Sequence, residues 1–361
     1  MMSQQIEENN ERCETEVLRL QRHYDAIVKK LFEIKKKHEK TLRDGCTEGN
    51  PLYSLRYEDG GINEAKLESI MGNIVDAEKI VITETNSFQW VGDFIMSLEA
   101  KNDETCFLTN HKIPYLEQVN KNGKREKQFS EIAADICVTD NDEIYFTDLF
   151  DNSISRLSLF DAKSIVFSTD PLQPWGICLT MNGELLITLK DSESDQYEVN
   201  SRSRRLVRHV TLRGDVIREY EFLENSAGQT RLFTDPWRVT QNGNTDICVI
   251  NGTSDTSSEL LIISVSGSFK SVYHGQDNKE TFKVTDVVFD IQFNISVSQL
   301  NSSELKNSAI HLLSPDRKSL RYLLKIKHPI SISLNQSTLC IGDEYGLVTV
   351  FHYKLPSRHS L

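Results

Sequence analysis

The chain has 361 residues, of which 38% are hydrophobic and 26% charged, and this composition excludes a disordered or fibrous protein. Its formal net charge of −12 at pH 7 disfavours general attraction to nucleic-acid backbones or anionic membranes, so any nucleic-acid site must be a local patch. The N-terminus lacks the apolar core of a signal peptide, and no apolar run approaches the roughly 18 residues of a membrane span. We therefore expect a cytoplasmic protein that does not bind membranes.

The seven cysteines are widely spaced and form no CxxC pair. Most lie in strand-like apolar runs such as DICV and GICL, which predicts reduced thiols in a hydrophobic core. Because paired cysteines are the usual zinc ligands, the sequence predicts no zinc finger, RING or B-box. We expect neither a metal site nor a cofactor.

Residues 1–45 are predicted to contain a coiled-coil helix. Between residues 10 and 41 the seam positions alternate in steps of three and four, with charged residues between them, which is a heptad pattern. We expect this helix to dimerise, although docking on the following domain is an alternative. The predicted dimerisation residues are Val17, Leu20, Tyr24, Ile27, Leu31 and Ile34.

Residues 46–79 are predicted to form a linker and a second helix, and the character of the chain changes at residue 80. Residues 80–361 consist of short β-rich segments separated by polar turns. Similar segments start near Ile136, Ile177, Val239, Val287 and Ile332. Apart from the longer interval between Ile177 and Val239, their spacing of about 40 to 50 residues is typical of four-stranded propeller blades, and the length allows six of them.

One interval between the repeats is longer than the others, which predicts an insertion around DSESDQYEVNSRSRR, residues 191–205. A propeller must also close, because an open edge strand exposes unpaired backbone groups. We therefore predict that the strand at residues 79–83 completes the last blade together with the C-terminal GLVTVFHYK. The predicted fold class is mainly β: a six-bladed propeller preceded by an α-helical coiled coil.

The segment AADICVTDNDEIYFTDLFDNSI resembles an NHL repeat, with Asp148 in the position of the usual aspartate and Asp151 and Ser153 in those of the usual Asn and Arg. The order of a heptad helix followed by PWGICLTMNGELLIT, NTDICVINGTS and GDEYGLVTVF is similar to that of invertebrate tripartite-motif (TRIM) proteins with NHL-like propellers. In that family a RING and B-boxes confer E3 ubiquitin ligase activity, and the propeller recruits protein or RNA. Because this chain lacks the zinc ligands, the resemblance implies the recruiting role alone, in ubiquitin-related or innate-immune regulation.

Two tryptophans are predicted to lie on the binding face of the propeller. Trp175 and Trp237 follow Pro174 and Pro236 where two inner strands are expected to start. Exposed aromatic side chains there would anchor a protein partner or stack on a base. Packing in the core is the alternative interpretation.

An arginine-rich stretch is the strongest local anomaly in this acidic chain. Guanidinium groups suit carboxylates and phosphates alike, so the stretch fits an acidic protein or RNA. A solvated loop and strand edge would give the same pattern. The candidate partner-binding residues in it are Arg202, Arg204, Arg205 and Arg208, followed by Arg213 and Arg218.

No catalytic motif is visible in the sequence. The nine histidines form neither an HxH nor an HExxH motif, and no nucleophile stands beside a base and an orienting group. We therefore predict that the protein is not an enzyme, while noting that calcium-dependent lactonases and esterases place residues from several blades around one channel. The main hypothesis is a dimeric scaffold that binds a protein partner. The alternatives are RNA binding through the arginine-rich blade and action as a RING-less partner of a TRIM ubiquitin ligase.

Overall fold

The computed structural model describes residues 80–355 apart from 111–112, 114, 159, 226–227, 276–281, 292, 301–307 and 314–318. These residues form six four-stranded antiparallel sheets and one two-stranded hairpin. The first strand of each sheet contacts the first strand of the next sheet, and the last sheet contacts the first. The sheets are therefore the blades of a closed six-bladed β-propeller, as predicted.

The first three blades follow one another directly along the chain. Blade 1 contains β2 (Ser97–Ala100), β3 (Thr105–Thr109), β4 (Leu116–Asn120) and β5 (Arg125–Phe129). Blade 2 contains β6 (Ile136–Val138), β7 (Ile144–Asp148), β8 (Ser153–Leu157) and β9 (Lys163–Ser168). Blade 3 contains β10 (Gln173–Leu179), β11 (Leu185–Lys190), β12 (Arg205–Val210) and β13 (Val216–Tyr220).

An additional hairpin, β14 (Phe222–Asn225) and β15 (Gly228–Arg231), separates blade 3 from blade 4. Blade 4 contains β16 (Asp235–Gln241), β17 (Ile247–Ser254), β18 (Ser257–Ile263) and β19 (Phe269–Tyr273). Blade 5 contains β20 (Lys283–Phe289), β21 (Ile295–Leu300), β22 (Ala309–Leu313) and β23 (Ser319–Lys325). Blade 6 contains β24 (Pro329–Asn335), β25 (Thr338–Asp343), β26 (Leu347–Lys354) and the early strand β1 (Val81–Gln89).

The ring closes by pairing the two ends of the propeller sequence. Strand β1 runs antiparallel to β26, from Val81 opposite Lys354 to Gln89 opposite Leu347. This arrangement confirms the predicted closure, and it removes an open edge from the last blade.

The hydrophobic core lies between neighbouring blades. The second strands are buried on both faces, as in β11, where all six residues are buried. The outer strands are mostly exposed, as in β13, where only Tyr220 is buried. Cys106, Cys137, Cys178, Cys248 and Cys340 are free thiols on inner strands or second strands. All are buried except Cys178, which is half-buried, so the predicted core position is confirmed for four of the five.

The inner strands β2, β6, β10, β16, β20 and β24 all begin at one end of the ring, which we name the top face. Because strand directions alternate, the connection between the second and third strand of each blade also lies at this face. Residues 191–204 form this connection in blade 3, which confirms the predicted insertion. Turns such as the one at Phe160, between β8 and β9, lie at the opposite end, the bottom face.

The predicted coiled-coil helix, its six seam residues and the second helix lie outside the described residues. Within the part of the chain that the structure describes, no helix has the length and apolar composition that a membrane crossing requires.

Candidate binding site

Two tryptophans stand side by side at the top face. Trp175 lies in β10 and Trp237 at the equivalent position in β16 of the next blade. Both strands have an irregular register at this point, between Pro174 and Ile177 in β10 and between Pro236 and Arg238 in β16. The ring centroids are 5.2 Å apart with an interplanar angle of 31°, and both side chains are half-buried. The structure thus brings together two residues that are far apart in the sequence.

A buried ion pair supports the tryptophan pair from within. Lys190 Nζ lies 4.0 Å from the centroid of the Trp175 ring and 2.6 Å from Asp235 Oδ1. Burial lowers the pKa of Lys190, and the Asp235 carboxylate offsets part of that effect. A cation over a tryptophan face is favourable, more so when it is removed from water. The buried Lys190 ammonium group therefore holds the Trp175 ring in place.

The inserted loop at residues 191–204 is anchored by a buried arginine. Arg205 is 1% exposed at its side chain, and its guanidinium donates to Asp191 O at 2.8 Å, Ser194 Oγ at 2.9 Å and Asp195 O at 3.2 Å. Because the loop carbonyls accept these bonds, the loop is tied to the blade near its start.

The middle of the loop reaches across to blade 4. Gln196 Nε2 donates to Asp235 Oδ2 at 2.7 Å. A Cβ atom at Gly252 would lie 3.3 Å from the Tyr197 ring, so the tyrosine packs close to the β17 backbone. Burial, with Asp235 and a hydrogen bond to Asp255, raises the pKa of Tyr197 to about 12. The loop is thus fixed to both blade 3 and blade 4, beside the two tryptophans.

Two of the remaining arginines of the stretch, Arg204 and Arg208, are paired with glutamates. Arg204 Nε lies 2.9 Å from Glu221 Oε2, and Arg208 Nη2 lies 2.7 Å from Glu219 Oε1. Arg202 is exposed in the loop. Arg205 faces the interior, so of the four candidate residues only Arg202 is an exposed cation without an acidic partner among the described residues. A partner-binding role for these four residues stays a prediction.

A second group of charged residues occupies the centre of the ring. Arg238, next to Trp237 on β16, is 5% exposed and forms an ion pair with Asp135 of blade 2. It also donates to Met96 O, just before blade 1. Since blades 1 and 4 are opposite each other in the ring, the side chain crosses the channel and closes it at this level.

Two aspartates at equivalent positions each connect the inner strand of one blade to the inner strand of the next blade. Asp135 Oδ2 accepts a bond of 2.9 Å from Ile177 N in blade 3, and Asp286 Oδ2 accepts one of 2.9 Å from Ile332 N in blade 6. Burial raises the pKa of Asp286, and Arg238 offsets part of the shift. The sequence signal for this group is an aspartate directly before the apolar residues of the inner strand in ADICV and TDVVF, which our sequence-based reasoning missed.

A third carboxyl group in the channel, that of Glu99, has a raised pKa. Glu99 on β2 accepts a bond of 3.1 Å from Ser333 Oγ. Burial, reinforced by the neighbouring Asp135 and Asp286, raises its pKa to about 8. At neutral pH this carboxyl group is therefore mostly protonated. Among the described residues, no group of three or more His, Cys, Asp or Glu side chains has the geometry of a metal site.

Comparison with known proteins identifies the fold. No protein-family model matches the chain, and no curated protein sequence matches it. Virginiamycin B lyase from Staphylococcus aureus is similar in structure, with a TM-score of 0.52 and 12% identity over 76% of this chain and 99% of the lyase. A gluconolactonase from Xanthomonas campestris has a TM-score of 0.50 and 8% identity over 75% of this chain and 99% of that protein. The WD40 propeller domain of Doa1 has a TM-score of 0.50 and 11% identity over 75% of this chain and 96% of the domain.

These similarities show a β-propeller fold. They do not confirm the resemblance to TRIM proteins or NHL repeats, which stays a prediction. The prediction that the protein is not an enzyme was wrong, because a lyase and a lactonase share this architecture. The physical reason is that a ring brings together residues from separate blades, as Glu99, Asp135, Arg238 and Asp286 show. The absence of a linear motif therefore does not exclude catalysis in this fold.

Proposed function

We propose that the propeller is a recognition module that binds a protein partner at the top face of blades 3 and 4. The observation that carries this proposal is the half-exposed pair of Trp175 and Trp237 beside a fixed loop. Tryptophans supply large contact areas and are enriched among the residues that dominate binding energy. Because Lys190 and Arg205 hold the pair and the loop in place, little ordering is needed when a partner binds.

The charges around the site favour protein over RNA. The loop exposes Glu193, Asp195 and Glu198, and these carboxylates repel a phosphate backbone. The nearby Arg204 and Arg208 are neutralised by glutamates. Propellers commonly act as interaction scaffolds, and the Doa1 domain has this fold.

The test compares partner recovery by three forms of the full chain. The wild type is compared with a Trp175→Ala, Trp237→Ala double variant and with Phe160→Ala, which removes a 91% exposed aromatic residue from the bottom face. We expect the same proteins with the wild type and Phe160→Ala. The purified partner should bind the double variant about 30-fold more weakly, which corresponds to roughly 2 kcal/mol.

Three results would contradict the proposal. Recovery that is unchanged by the tryptophan substitutions would place the interaction elsewhere, as would recovery lost in Phe160→Ala. Recovery that disappears after nuclease treatment would favour RNA. Circular dichroism of the double variant controls for unfolding.

We also propose that the predicted heptad segment pairs two chains and so presents two recognition sites, which increases avidity. Light scattering of the full chain should show dimers that dissociate in a Leu20→Lys, Leu31→Lys variant. A monomeric wild type at micromolar concentrations would contradict this part. A role beside a TRIM ubiquitin ligase stays a prediction, to be tested by co-purification with such a protein.

A further inference from the structure

We infer that the partner segment is an arginine-bearing basic peptide that docks on the tryptophan pair and the inserted loop. This inference rests on the proposed function, because it names the chemical class of the partner for the same site. It depends on the charge of the top face, on the anchoring of the loop and on the chemistry of the tryptophan rings.

The top face is strongly acidic. In its described connections the exposed cations are Arg202, Arg204 and Lys327, and Arg204 is paired with Glu219 and Glu221. Exposed carboxylates outnumber them and are concentrated near blades 2 to 4, which contain Asp151, Asp170, Glu193, Asp195, Glu198 and Asp255. A face with this balance attracts cationic segments and repels acidic ones.

The loop carboxylates are free to contact a partner. Glu193, Asp195 and Glu198 form no side-chain ion pair within the described residues, whereas Asp191 lies 3.4 Å from the Arg205 guanidinium. In the sequence, the three exposed residues are separated by the residues that anchor the loop, which are Ser194, Gln196 and Tyr197. Their backbone is therefore fixed while their carboxylates face solvent, which is the arrangement of a preorganised site for cations.

A chain of contacts connects the loop with the aromatic pair. Gln196 bonds to Asp235 at 2.7 Å, Asp235 to Lys190 at 2.6 Å, and Lys190 Nζ lies 4.0 Å from the Trp175 ring centroid. The carboxylate that neutralises Lys190 is buried, so this lysine adds no free positive charge to the surface. Aromatic surface and negative charge thus belong to one site.

Arginine matches both parts of the site better than other residues do. Its planar guanidinium stacks on aromatic faces and forms paired hydrogen bonds with carboxylates, whereas lysine offers a compact, strongly hydrated charge. One arginine can therefore contact the Trp237 side of the pair while its neighbours in the peptide pair with the loop. Phosphate-rich partners fit neither the charge nor the loop.

The experiment selects peptides from a random phage-displayed library on the immobilised full chain. Enriched sequences are then synthesised with a fluorescein label and titrated by anisotropy. We expect arginine-rich peptides whose affinity falls about tenfold in a Glu193→Gln, Asp195→Asn, Glu198→Gln variant and falls with rising salt. The Trp237→Ala variant should also bind weakly. The matched control neutralises two exposed carboxylates of the bottom face, Asp140→Asn and Asp142→Asn, and should bind as the wild type does.

The outcomes separate this inference from the proposed function. Peptides without basic residues that depend on Trp237 but not on the loop carboxylates would overturn the inference and leave the proposed function standing. Peptides that are indifferent to both sets of substitutions would overturn both. Failure to enrich any sequence would overturn the inference, and lysine peptides that bind as tightly as arginine peptides would overturn the choice of arginine.

Discussion

The centre of the ring and the inserted loop both hold charged residues, but they use them in different ways. In the centre, Arg238 is buried against Asp135 and crosses from blade 4 to the start of blade 1. In the loop, the buried Arg205 binds backbone carbonyls, and neighbouring carboxylates remain exposed without partners. Charge in the centre is thus committed to contacts between blades, whereas charge on the loop is positioned but still available to a partner.

The largest expected effect is that of breaking the central ion pair. Arg238→Ala leaves buried carboxylates without their cation, so we expect the free energy of unfolding to fall by about 3–5 kcal/mol. Urea denaturation monitored by circular dichroism measures this change. The exposed Arg202→Ala is the control and should change stability by less than about 0.5 kcal/mol. Equal midpoints for the two variants would show that the centre does not hold the ring together.

A smaller loss is expected when the loop anchor is removed. Arg205→Ala deletes a buried guanidinium and its bonds to the loop, which should cost about 2–3 kcal/mol. It should also expose residues 191–204 to limited proteolysis. The neighbouring Arg204→Ala removes a half-exposed ion pair and should cost less than about 1 kcal/mol. If the loop stayed resistant to proteases in Arg205→Ala, Arg205 would not be the residue that fixes the loop to the blade.

The smallest effect concerns pH and the carboxyl group of Glu99. Its pKa is raised by burial from 4.5 to about 8, so between these pH values the folded state keeps a proton that the unfolded chain has released. The contribution of Glu99 to stability therefore falls as pH rises through this window, whereas the buried His311, whose pKa is lowered to about 4, contributes a change of the opposite sign below pH 6.5. Glu99→Gln should remove the Glu99 contribution and raise stability at pH 8 by at least about 1 kcal/mol.

Urea denaturation from pH 4.5 to 8.5 measures this profile, with the exposed Glu84→Gln as the control that should leave it unchanged. A stability difference between the wild type and Glu99→Gln that stays constant across the same window would show that folding does not raise the pKa of Glu99. The Glu99 carboxyl group would then be ionised at neutral pH, as exposed carboxylates such as those of the loop are.

Sequence reasoning predicted the features that depend on local signals. The repeated strands, the early closing strand and the insertion at 191–205 follow from spacing and turn chemistry. The structure confirms them, with the closing strand at Val81–Gln89 and residue 79 outside the described residues. The β14–β15 hairpin was missed because the length of one long interval was assigned to a single insertion. The exposure pattern of the arginines was also only partly predictable. On β12, Arg205 turns inward to bind the loop, whereas the strand-edge interpretation placed the arginines outward.

The sequence by itself determined a propeller of six blades and the two proline–tryptophan segments at the start of two of them. Only the tertiary structure decided that these tryptophans contact each other, that Arg205 anchors the loop, and that Arg238 meets Asp135 and Met96 across the channel. The contact between Arg238 and Met96 spans 142 residues of sequence. Local periodicity specifies each blade, but closing the ring decides which side chains converge, and that convergence creates the site.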